Sequence, residues 1–251
     1  MKWWNKSAVM TTVSIVGGVL LWQIAGMLSP VLVASPVAVL GALLTGLQGG
    51  PLVLDIVVSL TRVIEGFLAA FAASVLVGFL LGWYRTPRML FDPWVQFFRM
   101  IPPIAMIPLV IVYLGVGQVA KVFVIFLAAF LVMVVTIYQG VKQVDMTLIR
   151  AARVLGCRDA DLFVRVIMPA SIPHIFTAVR LGIAAAWTTL VASELIAASH
   201  GLGVLIEQAS NYFEMPLVYL GILIIGVIGI LMDRGVLWLE RSMTSWQEKI
   251  Q

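Results

Sequence analysis

Charge is what this chain has least of. Only 11% of its 251 residues are Asp, Glu, Lys or Arg, against 62% hydrophobic; soluble domains carry about 25% charged and about 45–50% apolar residues. A soluble core could hide that much apolar surface only by leaving the outside apolar too, which invites aggregation. The composition therefore excludes a typical cytosolic enzyme and a disordered tail. Cysteine is nearly absent: the single Cys157 excludes an internal disulfide and any metal site of cysteine-pair spacing. The two histidines, His174 and His200, stand in no ligand spacing, so no metal site is expected. No G-x-x-x-x-G-K-S/T loop occurs, so the chain lacks the usual cradle for ATP. No G-x-S-x-G elbow supports a Ser/His/Asp triad, and no catalytic residue is assigned. The net charge of +4 comes from sixteen cations without one long cluster, a pattern of basic loops on a membrane rather than of nucleic-acid binding.

What is present is a series of long apolar runs. A helix needs about 20 largely apolar residues to cross the hydrocarbon of a bilayer. Ser7 to Leu54 holds no charge over 48 residues, and Gly66 to Tyr84, Met100 to Ala120, Val122 to Val141 and Met215 to Met232 give 19, 21, 20 and 18 more. A further run near Ala178 to Ala198 is interrupted only by Arg180 and Glu194. These runs predict an all-α integral membrane protein with spans at about 8–28, 63–84, 101–116, 119–139, 178–198 and 216–234, forming one transmembrane domain over 1–251.

The first run is long enough for two spans. Ser29-Pro30 and Ser35-Pro36 interrupt it, and Gln48-Gly49-Gly50-Pro51 closes it with turn chemistry. Charge placement arbitrates. With six spans and the N-terminus inside, fourteen cations lie on the cytoplasmic side (Lys2, Lys6, Arg85, Arg88, Arg99, Lys142, Arg150, Arg153, Arg158, Arg165, Arg180, Arg234, Arg241, Lys249) and two, Arg62 and Lys121, outside. That is a strong positive-inside bias, and both termini are expected in the cytoplasm. Residues 36–47 are read as an external interfacial helix. Lys2 and Lys6 before an apolar run also fit a signal peptide, but the run is longer than a signal core and is expected to remain as the first span.

The most charged stretch, Lys142 to Arg165, carries eight charges in 24 residues and is too polar for lipid. It is nevertheless patterned. Leu148, Ala152 and Leu155 fall at i, i+4 and i+7 of a helix ending at Gly156, with Arg150 and Arg153 elsewhere. Asp159 and Asp161 suit the first turn of a second short helix. Leu162, Phe163, Val166 and Ile167 give that helix an apolar face, and Pro169 is expected to end it. The loop either packs on its own spans or docks a partner.

Arg150-Ala151-Ala152, three residues, Gly156, nine residues, then Val166-x-Met168-Pro169 resembles the "EAA loop" of permeases from bacterial binding-protein-dependent ABC importers. Arg150 departs from the motif's Glu, so the role of that acid does not carry over; the Arg-Ala-Ala form is familiar in the nitrate/sulfonate/taurine branch. Arg99-Met-Ile-Pro102-Pro103 through Pro108 and Glu194 through Gly203 resemble that branch as well. The resemblance implies six spans of the type I importer kind. It also implies a homodimer of permeases, two cytoplasmic ATPase subunits that bind ATP and Mg, and an extracytoplasmic binding protein that delivers a solute such as a sulfonate, taurine or nitrate. In its terms, a loop at about 140–177 couples to the ATPase through Arg150, Ala151, Ala152, Arg153, Gly156, Asp159, Val166, Met168 and Pro169.

Candidate pathway residues are Pro102, Pro103, Thr188, Thr189, Ser193 and Glu194. The prolines preclude a regular helix at the third span's start, which is tolerated at membrane depth where backbone is buried in protein or faces a cavity. Thr188, Thr189 and Ser193 either line a polar path or bond their own helix. Glu194 is an acid within a span, a default functional hypothesis. It stands about four residues from the span's outer end, where it either reaches water or bonds the Gly201–Gly203 turn. Gly66, Gly78, Gly82, Gly182, Gly221, Gly226 and Gly229 are expected to permit close helix packing, with Gly115 and Gly117 at an external turn. The alternative function class is a secondary transporter or channel driven by an ion gradient; such proteins bury ionisable groups near mid-membrane, and here only Glu194 intrudes.

Overall fold

The computed structural model describes residues 3–244; Lys2 and Lys249 of the charge count lie outside the described residues. Every regular element in them is helical: α1 (Trp3–Leu28), α2 (Pro36–Leu47), α3 (Leu52–Trp83), α4 (Arg85–Met100), α5 (Ile107–Leu114), α6 (Gln118–Lys142), α7 (Met146–Val154), α8 (Asp159–Leu162), α9 (Met168–Ala197), α10 (Leu202–Asn211) and α11 (Met215–Met243). A 3-10 turn at Pro103–Met106 leads into α5, and a π turn at Phe163–Ile167 joins α8 to α9.

Five of these helices are long and apolar enough to cross a bilayer. A sixth crossing results if Arg85–Met100 and Pro103–Leu114 are taken as one span, bent by 91°. The bend falls at Pro102 and Pro103: Pro102 is extended, at φ −59° and ψ 126°, and Pro103 opens the 3-10 turn, because neither ring supplies an amide for a continuous helix. The helices outrun the charge-free segments, since α3 starts eleven residues before the expected 63 and α9 ten before the expected 178. A membrane helix continues into water wherever local hydrogen bonding favours it, so the apolar run marks the crossing and not the helix ends.

The chain divides into two compact units. The first comprises residues up to Val58 together with Ser199–Gly226. Here Ser35 caps α2, its hydroxyl accepting from the Ala38 amide at 3.3 Å, with Pro36 in the favoured first-turn position. Ala34, Val39, Leu52 and Leu220 form the unit's buried cluster, and Trp22 stacks on Tyr219 with ring centroids 6.0 Å apart. Asp55 is buried and accepts from the Gly201 amide at 2.9 Å.

The second unit, Ser59–Ala198 with the chain from Val227 onward, is built around α6. Ile125, Ala129, Met133, Val134 and Ile137 of α6 are almost fully buried. Neighbouring helices approach it through glycine: a Cβ at Gly66 or Gly78 of α3 would lie 2.8 Å from the γ-methyl of Ile125 or Ile137, and one at Gly182 of α9 would lie 2.6 Å from the sulfur of Met133. In the first unit Gly221 is likewise closed by Ile206. Gly226 and Gly229 have nothing within 4 Å of such a Cβ, so the expected packing role fails for them within this chain. Gly140 makes the closest approach of all, to the Cβ of His174 on α9, and sequence reasoning missed it. Gly115, at φ 77°, ends α5, and Gly117 stands at the N-cap of α6; this pair forms the expected turn.

Pro169 does not end the second loop helix. The chain is helical without a break from Asp159 to Ile196, because the π turn sits immediately before the proline. Such a turn carries the wider i→i+5 spacing, which relieves both the missing amide and the clash of the proline ring with the preceding turn.

Candidate functional site

Two groups of predicted residues can be placed. The first is the 142–168 loop. The Asp145 carboxylate accepts from the Thr147 amide at 2.8 Å and so caps α7. That bond holds the Asp145 carboxyl below the usual carboxylate range. Its folded pKa being depressed, the cap contributes at pH above the ordinary carboxylate value and is lost as pH falls through the folded value. Asp145→Ala is expected to fray α7 and reduce amide-exchange protection at Thr147–Ile149, while Asp145→Asn retains the cap and most of that protection.

At the other end of α7, the Gly156 amide donates to the Arg153 carbonyl at 3.0 Å and the Cys157 amide to the Ala152 carbonyl at 3.1 Å. Gly156 adopts φ 84°. This is a Schellman stop, and it explains why the loop pattern places glycine there. Asp159 then lies 3.7 Å from Arg153, and Asp161 lies 3.2 Å from Arg165; both pairs are solvent-exposed and worth little to stability.

The apolar side chains of the loop split into two sets. Leu162 and Ile167 are buried, and Phe163 stands edge-on to Phe79 at 5.5 Å between centroids. The predicted stripe of Leu148, Ala152 and Leu155 does not behave as one face: Ala152 is buried, whereas Leu148 is exposed and Leu155 is 84% exposed. Val154 is 87% exposed. A Schellman turn throws the last helical residues outward, which a simple helical-wheel count does not capture. Of the other motif residues, Arg150, Ala151, Arg153, Gly156, Asp159 and Met168 are exposed, and Val166 and Pro169 are half-buried.

The second group surrounds Glu194. It does not reach water: the residue is 1% exposed. Both carboxylate oxygens accept from the Ser59 hydroxyl, at 2.8 and 3.0 Å, and one accepts from Arg62 Nη1 at 2.6 Å. Arg62 Nε donates to Gln118 Oε1 at 2.7 Å. At Gly201 the backbone amide donates to the Asp55 carboxylate. Ser193 is buried and its hydroxyl donates to the Leu190 carbonyl at 2.8 Å; Thr189 is buried as well. Thr188 is exposed, donating to the Ala184 carbonyl at 2.9 Å. Pro102 is exposed and Pro103 half-buried. The structure thus joins Glu194 to a polar cluster, has the buried Ser193 bond its own helix, and leaves Thr188 and Pro102 on the surface. It adds Ser59, Arg62 and Gln118, which sequence reasoning did not assign. Arg62 carried a signal all the same, being one of the two cations that break the positive-inside bias. Further along α9, Arg180 donates to Asp233 at 2.6 Å, and the Trp187 indole lies 3.4 Å from the Met232 sulfur. Among the described residues no group of three His, Cys, Asp or Glu side chains is arranged to hold a metal.

Helical spans, an ordered polar loop and a buried ion pair describe a membrane component without a catalytic constellation. Residues 66–245 match the family described as the binding-protein-dependent transport system inner membrane component. The chain belongs to this family. It is 51% identical over 228 residues to a probable ABC transporter permease protein of Brucella abortus, covering 91% of each. It is 35% identical over 237 residues to the taurine transport system permease protein TauC of Escherichia coli, covering 92% of this chain and 86% of that one. In fold it resembles the MetNI methionine ABC transporter in an inward-facing conformation, with a TM-score of 0.60 over 74% of this chain and 95% of that one, at 23% identity. This ABC importer permease is accordingly a multi-pass inner-membrane subunit, non-catalytic itself, that works in a complex with an ATPase and a binding protein. ATP is bound by the ATPase subunit.

Proposed function

We propose that this permease forms, as two identical copies, the path for a small anionic or zwitterionic solute. Relatives named for taurine, aliphatic sulfonates and bicarbonate support that solute class. Residues 140–177 serve as the cytoplasmic coupling loop and both termini face the cytoplasm, in keeping with the cation distribution; 36–47 lies at the external interface. Closure of the ATPase pair on ATP is transmitted through 148–168 and rocks the two permease copies between inward-open and outward-open states.

The observation that carries the coupling role is the tip of α7. Val154 and Leu155 are 87% and 84% exposed on a loop whose charges keep it out of lipid. Two large apolar side chains held in water by a rigid capped turn are what a cleft on a partner would bury, each worth about 1.5–3 kcal/mol when fully covered. Both stand clear of this chain's own core, so changing them leaves folding intact. Leu155→Asp is expected to abolish co-purification of the ATPase and to lower solute uptake at least tenfold at unchanged membrane abundance. Undiminished uptake and ATPase binding would overturn the coupling role. The solute class is tested separately, by calorimetric titration of the partner binding protein with taurine, methanesulfonate, nitrate and bicarbonate.

A further inference from the structure

A cleft of about 490 Å³ opens between α3 and the loop end of the long 159–196 helix, away from Glu194. One bank is a face of α3 on which Leu76, Leu80 and Tyr84 recur every four residues, all three exposed. Val164 and Met168, also exposed and four residues apart, form the other bank. Phe163 packs on both Phe79 and Trp83, with ring centroids 5.5 and 5.7 Å apart, and makes the floor. The volume and the apolar, aromatic lining are those of a ligand site.

The cleft is polar at one end only. The charge-free run of α3 stops at Tyr84, and Arg85 follows. Trp83 and Tyr84 therefore stand at the level where aromatic rings meet lipid headgroups, and Leu76 lies about 12 Å further into the hydrocarbon along α3, at ~1.5 Å per residue. Asp159 is the one charged residue of the lining, and its side chain is 81% exposed. A water-soluble solute would reach this wet end alone. An acyl chain enters sideways from the bilayer and covers the whole apolar length. Charge decides the headgroup. Asp159 holds Arg153 loosely, at 3.7 Å, and an ionised carboxylate offers about four acceptor sites, so it has room for an ammonium. Arg85 and Arg158, both exposed, neighbour Tyr84 and Asp159 in the chain and suit the adjoining phosphate.

We propose that this cleft binds one zwitterionic phospholipid of the cytoplasmic leaflet, its acyl chain between the 76–84 and 164–168 banks and its ammonium on Asp159. The site rests on the cytoplasmic placement of the loop proposed above, not on coupling to the ATPase. Leu155 does not line the cleft, so the two readings fail separately. Lipid binding in a transporter whose Leu155→Asp variant keeps its ATPase rejects coupling alone; loss of the ATPase in that variant without lipid binding rejects the lipid site alone.

The assembled transporter is placed in nanodiscs of phosphatidylglycerol containing a rising fraction of phosphatidylethanolamine that carries a diazirine at the end of one acyl chain. Photolabelled residues are then mapped by mass spectrometry. Labelling at Leu76, Leu80 and Val164 is expected to saturate early, whereas labelling of Val13 and Leu20, exposed on α1, rises in proportion to the fraction. Val164→Trp fills the cleft from its exposed rim and should cut cleft labelling about fivefold or more while α1 labelling is unchanged. Asp159→Asn should raise the half-saturating fraction about threefold or more. Cleft labelling that is merely proportional, or absent because another chain covers the cleft, would overturn the proposal. So would an unchanged signal in either variant.

Discussion

Arg62→Met is expected to cost about 3–5 kcal/mol of stability, because removing one partner of a buried pair leaves the other charge desolvated without its direct ion-pair partner. Glu194 is 1% exposed and would lose the Arg62 guanidinium at 2.6 Å while keeping the Ser59 hydroxyl at 2.8 Å. The size of the effect comes from the stranded carboxylate and not from the strength of the ion pair. The double variant Arg62→Met/Glu194→Gln should therefore recover most of the loss, since neither member of the pair then remains as a stranded charge and the new amide can still accept from Ser59 and donate in turn. Unfolding midpoints of the purified transporter, followed by tryptophan fluorescence, supply all corners of the cycle. Additive losses in the double variant would mean that Arg62 and Glu194 act independently and that the pair is not the feature holding α3 to α9.

Gly140→Val should be nearly as damaging, for a steric reason. A Cβ at Gly140 would overlap the Cβ of His174, an atom fixed to the α9 backbone that no rotamer change can move. Overpacking of this kind costs about 1–3 kcal/mol and occasionally more, well above the gain of about 1 kcal/mol in helix propensity from replacing glycine. The outcome is an α6–α9 contact forced apart and a large fall in the folded yield recovered from membranes. Gly182→Ala is the control. Its new methyl meets the sulfur and Cγ of Met133, the flexible part of an adaptable side chain, so the propensity gain nearly offsets the clash and the midpoint hardly moves. Equal losses for Gly140→Val and Gly182→Ala would show that fixed backbone at His174 is not what distinguishes them.

These two sites illustrate what a single sequence conveys. The helical spans were legible because hydrocarbon tolerates so few charges that Ser7 to Leu54 or Val122 to Val141 leaves little other choice. The loop was legible where its cues are local: Gly156 stops α7, and Asp159 and Asp161 stand in the first turn of α8. The partner of Glu194 was not, since Arg62 is 132 residues away and nothing local links them. The clue lay in a remainder: Arg62 and Lys121 were the two cations left on the wrong side of the charge count, and α3 and α6 bring both near Glu194. Pro169 misled because its effect depends on the turn before it. A proline rule written for α-helices holds until a π turn widens the ring ahead of it, and nothing in Phe163–Ile167 announces that turn. Gly140 went unnoticed because its neighbour comes from another helix.

That π turn has a mechanical consequence. With the proline absorbed, the segment from Asp159 to Ile196 is one continuous 38-residue helix, about 57 Å long at ~1.5 Å per residue. One end carries Asp159 beside the Arg153 turn, and Glu194 with its arginine clamp sits near the other. A helix is stiff along its axis, so a push at the first end is not dissipated in a loop on the way. It arrives at the clamp as a tilt or a twist, and the points where the shaft can flex, the widened turn at Phe163–Ile167 and Pro173 inside the helix, both lie near the pushed end.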